Sequence, residues 1–94
     1  MKELSQCRAE IDAIDAQIVA LFEKRMNLSR EVAAYKIARG LPVLDQSREE
    51  QVLQSRCGML EDDHWTPFVR ALYEQIMALS RAEQSDMLRE AHDA

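Results

Sequence analysis

Apolar residues recur along the first third of the chain on alternating three- and four-residue steps: Leu4, Cys7, Ile11, Ile14, Ile18, Leu21, then Leu28, Val32 and Tyr35. This is the a/d pattern of helices that pack along their length. No Gly or Pro interrupts Leu4 to Ala38, so the pattern predicts one helix over about 4–38, about 50 Å long at ~1.5 Å per residue. A seam of that length cannot be covered within so short a chain, and it calls for a partner. Gly40 suits a helix C-terminus and Pro42 cannot continue one, so a loop is expected over 39–44. A second, shorter helix is expected over about 45–57. Asp45 caps its start, Val52 and Leu53 are its apolar positions, and Gly58 stops it. A third is expected over about 66–88, with Thr66 as N-cap and Pro67 at the first helical position. Its apolar side is Phe68, Val69, Leu72, Tyr73, Ile76 and Leu79. The polar tail from about Asp86 to Ala94 is expected to fray.

Composition narrows the picture. Two Gly and two Pro in 94 residues are too few for a strand-and-turn architecture, and Ala, Leu, Glu, Gln and Arg favour helices. The expected fold class is therefore all-α, one domain over 1–94 with one long, one short and one medium helix, paired as a homodimer. The net charge of −5 argues against a nucleic-acid binder, which would show a basic stripe. It leaves room for an anionic small molecule in a cationic pocket. Cys7 and Cys57 lack metal-ligand spacing and read as reduced thiols. No apolar run approaches the ~20 residues that span a bilayer, and Met1–Ser5 lacks the apolar core of a signal peptide. A soluble, cytoplasmic protein that does not engage membranes is expected.

Some polar residues occupy apolar places. Arg25 fills a slot of the seam, where an unmatched charge is costly. Lys36 follows eleven residues on, about three turns, and shares its face. Two such cations, about 16 Å apart along the axis, can grip the ends of a polyanion. The plainer alternative pairs Arg25 with an acidic neighbour and leaves Lys36 in solvent. On the third helix, Ser80 and Gln84 continue the face of Tyr73 and Ile76 and are surface neighbours. A hydroxyl and an amide suit carboxylate and ether oxygens without adding charge. The alternative is a helix leaving the core. Asp45 and Glu49 lie one turn apart with Arg48 beside them, which a capped, dipole-matched helix start also explains. Arg8 flanks the seam and alone reads as a surface residue. His64 and His92 have no partner pattern, and Trp65 reads as a packing anchor.

The ordered series Arg8-x-x-Ile11-x-x-x-Asp15, Glu23-Lys24-Arg25, Val32-Ala33-Ala34-Tyr35-Lys36, Pro42-Val43-x-Asp45-x-x-Arg48-Glu49 and Leu72-Tyr73 leading to Ser80-x-x-x-Gln84 resembles the all-α (AroQ-type) chorismate mutases, from about Leu4 to Gln84. The resemblance implies an intertwined helical homodimer that converts chorismate to prephenate by an intramolecular Claisen rearrangement. No cofactor or metal is needed for that reaction. It implies that Arg25 and Arg8 bind the two substrate carboxylates with Ser80 assisting, and that Lys36 and Gln84 donate to the ether oxygen of the breaking C–O bond. Glu49, with the Asp45 region, becomes the partner of the ring hydroxyl, and Arg48 supports the site electrostatically. Arg8 and Arg25 are 17 residues apart, about 25 Å on a straight helix, so Arg8 must reach a shared substrate from the other subunit. Two rivals stand beside this reading: an isochorismate pyruvate lyase on the same scaffold, and a non-catalytic helical dimer module.

Overall fold

The computed structural model describes residues 1–93, so Ala94, the last residue of the polar tail, lies outside the described residues. Three α-helices follow one another: α1 over Leu4–Arg39, α2 over Gln46–Cys57 and α3 over Thr66–Asp93, with a 3₁₀ turn at Asp63–Trp65 before α3. Among the described residues there is no strand. The expected all-helical architecture is present.

Helix α1 runs 36 residues, or about 54 Å. At its start the Glu3 backbone N–H donates to Gln6 Oε1 at 3.1 Å. At its end Gly40 turns left-handed at φ 66°, a conformation that costs glycine little. The Gly40 and Leu41 N–H groups then donate to the carbonyls of Ile37 and Lys36 at 3.3 and 2.9 Å. That pair of bonds is a Schellman closure and satisfies two carbonyls that would otherwise lack donors.

Helix α2 begins where Asp45 accepts from the Arg48 backbone N–H at 3.0 Å. It ends at Cys57 as the sequence predicts. Gly58, however, stays right-handed at φ −67°, and Met59 and Leu60 close the turn by donating to Arg56 and Cys57 carbonyls.

Two expectations about α3 need correction. Thr66 is not its N-cap: at φ −52°, ψ −49° it is already helical, and the cap is Asp62, whose carboxylate accepts from the His64 N–H at 2.9 Å. The helical path therefore starts one turn earlier, through the 3₁₀ turn, and Pro67 is the second residue of α3. Nor does the helix stop near 88. It continues to Asp93 because Met87 and Leu88 are half-buried and Arg89 pairs with Asp86 one turn back.

Helix α3 lies between the other two and packs on both. The buried apolar residues are Ala33, Val52, Leu53 and Met77, with Tyr73 packed against the last three. The inward face of α3 is thus Tyr73, Met77, Ser80 and Gln84. Phe68, Leu72 and Leu79, expected on that face, are half or more exposed.

The chain measures 57 × 26 × 14 Å along its principal axes. Helix α1 accounts for nearly all of that length, and packing on α3 leaves its first two-thirds uncovered. One consequence is that no residue before Ser29 is buried. The seam stands open: Ile11, Ile14, Ile18 and Leu21 are 52%, 54%, 57% and 65% exposed.

Candidate active site

The helices enclose one side of a cavity of about 310 Å³. Helix α1 contributes Arg25, Leu28, Ser29, Val32 and Lys36. Their spacing of three, four and seven residues marks one helix face. Helix α2 and its cap contribute Asp45, Arg48, Glu49, Val52 and Arg56, and α3 contributes Met77, Ser80, Arg81 and Gln84. Seven of the eight residues singled out from the sequence therefore meet around one space. Arg8 does not: it is exposed on α1 and absent from the cavity wall.

The electrostatic character of the wall is opposite to that of the chain. Arg25, Lys36, Arg48, Arg56 and Arg81 face only two carboxylates, Asp45 and Glu49, within a protein of net charge −5. Among the described residues, Arg81 alone of these five cations has a carboxylate partner, Glu49. Lys36 Nζ donates to the Val43 carbonyl at 2.8 Å. Arg48 Nη1 donates to Gln51 Oε1 at 3.1 Å, and Arg56 to Ser55 Oγ at 2.9 Å. Arg25 is half-buried and forms no ion pair with a described residue, so no acidic neighbour within this chain neutralises it. Lys36 is half-buried too, not solvated. Half-buried cations without a countercharge suit an anionic ligand.

A polar cluster lies at the back. Ser29, Ser80 and Gln84 are 7%, 8% and 7% exposed. The two serine hydroxyls bond one another, and Gln84 Nε2 donates to Ser29 and Ser80 Oγ at 3.0 and 3.1 Å. Gln84 Oε1 is buried with no partner. Such an acceptor costs about 1–3 kcal/mol. Ser80 and Gln84 are thus not the polar end of a helix leaving the core, because the core itself is polar there. Asp45 serves as the helix cap and also lines the cavity.

Three polar lining residues, and the apolar Met77, escaped the sequence reading. Ser29 lies four residues after Arg25 and seven before Lys36, and Arg56 lies seven after Glu49, so helical arithmetic places both on the relevant faces. Arg81 meets Glu49 from 32 residues away and has no local signature. Elsewhere, Trp65 is 51% exposed, with the His64 ring edge-on at 4.8 Å and the Phe68 ring tilted at 5.9 Å between centroids. It anchors no core within this chain. Cys7 and Cys57 are free thiols. No helix among the described residues is long and apolar enough to cross a membrane.

Residues 7–85 match the family described as chorismate mutase type II. The chain belongs to the type II chorismate mutase family. The resemblance carried by the ordered motifs is borne out, and membership of this chorismate mutase family accounts for the three-helix architecture. The 4-amino-4-deoxychorismate mutase of Streptomyces venezuelae is 32% identical over 92 residues, covering 95% of this chain and 88% of that protein. The chorismate mutase of Methanocaldococcus jannaschii is 35% identical over 52 residues, covering 55% and 52%. The T-protein of Haemophilus influenzae is 39% identical over 56 residues, covering 60% of this chain and 15% of that protein. The chain thus spans a small part of some curated relatives and nearly the whole of another.

Proposed function

We propose that this chain is a cytoplasmic chorismate mutase, an isomerase of aromatic biosynthesis, active as an intertwined homodimer whose two sites are each completed by Arg8 from the other subunit. The observation that carries this reading is the cavity wall: four cations without carboxylate partners, beside the buried Ser29–Ser80–Gln84 cluster. A dianion supplies the missing countercharge. Chorismate carries two carboxylates on a flexible frame, and its rearrangement breaks one C–O bond as one C–C bond forms within the same molecule. Nothing is added or removed, so catalysis rests on holding the reactive shape and on stabilising charge at the ether oxygen.

In this proposal Arg25 binds one carboxylate with help from Ser80, and the partner subunit's Arg8 binds the other. Lys36 donates to the ether oxygen from one side and Gln84 from the other. A half-turn of the Gln84 amide gives its unpartnered Oε1 the one serine hydroxyl hydrogen not used in the Ser29–Ser80 bond and frees Nε2 for the substrate. Glu49 accepts from the ring hydroxyl. Arg48 adds to the positive field, and Asp45 holds the start of α2. The requirement for a second copy follows from two features: Arg8 sits about 25 Å from Arg25 along α1, and the seam between them lies open. The name of the Streptomyces relative raises a second reading, a substrate with an amine in place of the ring hydroxyl.

The test is direct. Purified protein should consume chorismate and yield prephenate, and Arg8→Ala and Arg25→Ala proteins, each inactive, should regain activity when mixed under subunit exchange. Salicylate formed from isochorismate faster than prephenate from chorismate would make it a lyase. A folded parent with no turnover of either would leave a binding module.

A further inference from the structure

Arg81 lies outside every motif of the sequence reading, yet it makes the cavity's one ion pair among the described residues. It projects from α3 to Glu49 on α2, and the two side chains are 35% and 23% exposed. Arg81 Nη1 occupies Glu49 Oε1, which leaves Oε2 as the oxygen without a protein donor. The pairing alters what Glu49 can recognise. A lone carboxylate attracts a cation most strongly. A carboxylate already neutralised by a guanidinium still accepts a hydrogen bond, but it has lost most of its pull on a positive charge. The guanidinium itself then stands within a few ångströms of whatever Oε2 receives, in a wall that holds four further cations without carboxylate partners.

We infer that Arg81 is a specificity-determining residue, which makes the cavity accept a neutral hydroxyl and reject a protonated amine at the ring position facing Glu49. This rests on the reading of Glu49 given above. The mechanism is discrimination by repulsion: the hydroxyl donates one hydrogen to Oε2 at no electrostatic cost, whereas an ammonium meets a cancelled charge and a nearby cation. At separations of a few ångströms in a partly solvated wall, such a like charge is worth about tenfold or more in relative specificity. The chain therefore differs in substrate from its amine-named relative even though that relative covers most of its length.

The experiment compares kcat/KM for chorismate and for 4-amino-4-deoxychorismate in the parent, Arg81→Gln and Arg81→Lys, with helix content followed by circular dichroism. The parent should prefer chorismate by about tenfold or more. Arg81→Gln should shift the ratio about tenfold toward the amine, chiefly through a lower KM for it, and Arg81→Lys should keep the parental ratio. A purely structural role would lower both activities together and leave the ratio alone. A measurement on the parent guards against misfolded variants: raising the pH until the substrate amine is neutral should narrow the preference for chorismate. An unchanged ratio in folded Arg81→Gln, or a parental preference indifferent to amine protonation, overturns the inference while chorismate turnover still stands. A parent that turns over neither substrate sinks the reading of Glu49, and the inference with it.

Discussion

Lys36 spends its charge on a single loop carbonyl, Val43 O at 2.8 Å. That contact is replaceable by water, so the ammonium is available to a ligand. In the proposed mechanism it meets the charge growing on the ether oxygen. Lys36→Met should therefore lower kcat by about 10²–10³, the usual loss when one preorganised donor is removed, with helix content unchanged. Steady-state kinetics beside circular dichroism checks this, and an unaltered kcat would reduce Lys36 to a loop tether. Both Lys36 and Arg25 were legible in the sequence because eleven residues on a helix return to the same face, and a cation in an apolar seam is conspicuous. Ser80 and Gln84 were legible for the same reason. Ser29 was within reach of that arithmetic, but a serine among polar neighbours draws no attention until Ser80 and Gln84 are found against it. The Arg81–Glu49 pair joins residues 32 apart and was out of reach, since no local pattern encodes which helices meet.

The helices themselves were drawn largely by local chemistry, and their ends show where that chemistry suffices. The Schellman turn at Gly40 follows from one residue that tolerates φ 66°. A Cβ there would touch nothing within 4 Å, so the cost of Gly40→Ala is purely conformational, about 1 kcal/mol. Thermal unfolding should show it as a drop of a few degrees in Tm, with substrate turnover at low temperature retained. No change in Tm would mean that the turn relaxes into another closure. Helix α3 shows the limit. Thr66-Pro67 is a sound start signal, but Asp62 four residues earlier captures the cap and draws Asp63–Trp65 into a 3₁₀ turn. At the far end, composition favoured fraying after Asp86. Half-burial of Met87 and Leu88 holds the helix to Asp93 instead, because tertiary contact adds to a weak local preference.

The molecule leaves its most regular hydrophobic feature, the seam of α1, in water. Apolar surface of that extent marks an interaction site, and four buried apolar residues are a small core for 94 residues. Ile14 and Ile18 are each more than half exposed, so replacing them removes little from the isolated chain. The double variant Ile14→Glu/Ile18→Glu should nevertheless abolish the proposed dimer and with it all activity, as sedimentation and turnover measured on one preparation would reveal. A variant that stays dimeric and active would place the partner elsewhere. The same openness keeps Arg8 away from the cavity within one chain: nothing folds back to bring it near Arg25.

What the amino-acid order determined unaided was the run of helices, the stops of α1 and α2, and the faces on which Arg25, Lys36, Ser80 and Gln84 lie. Caps, glycine turns and helical periodicity act across a few residues, so they need no knowledge of the rest of the chain. The approach of α3 to both other helices decided the remainder. It buried a serine pair and an amide that composition would have left in solvent, and it spent one arginine on Glu49 while four other cations kept their charge uncompensated. These outcomes depend on distances across the fold, and electrostatic and desolvation energies follow distance in space rather than separation along the chain.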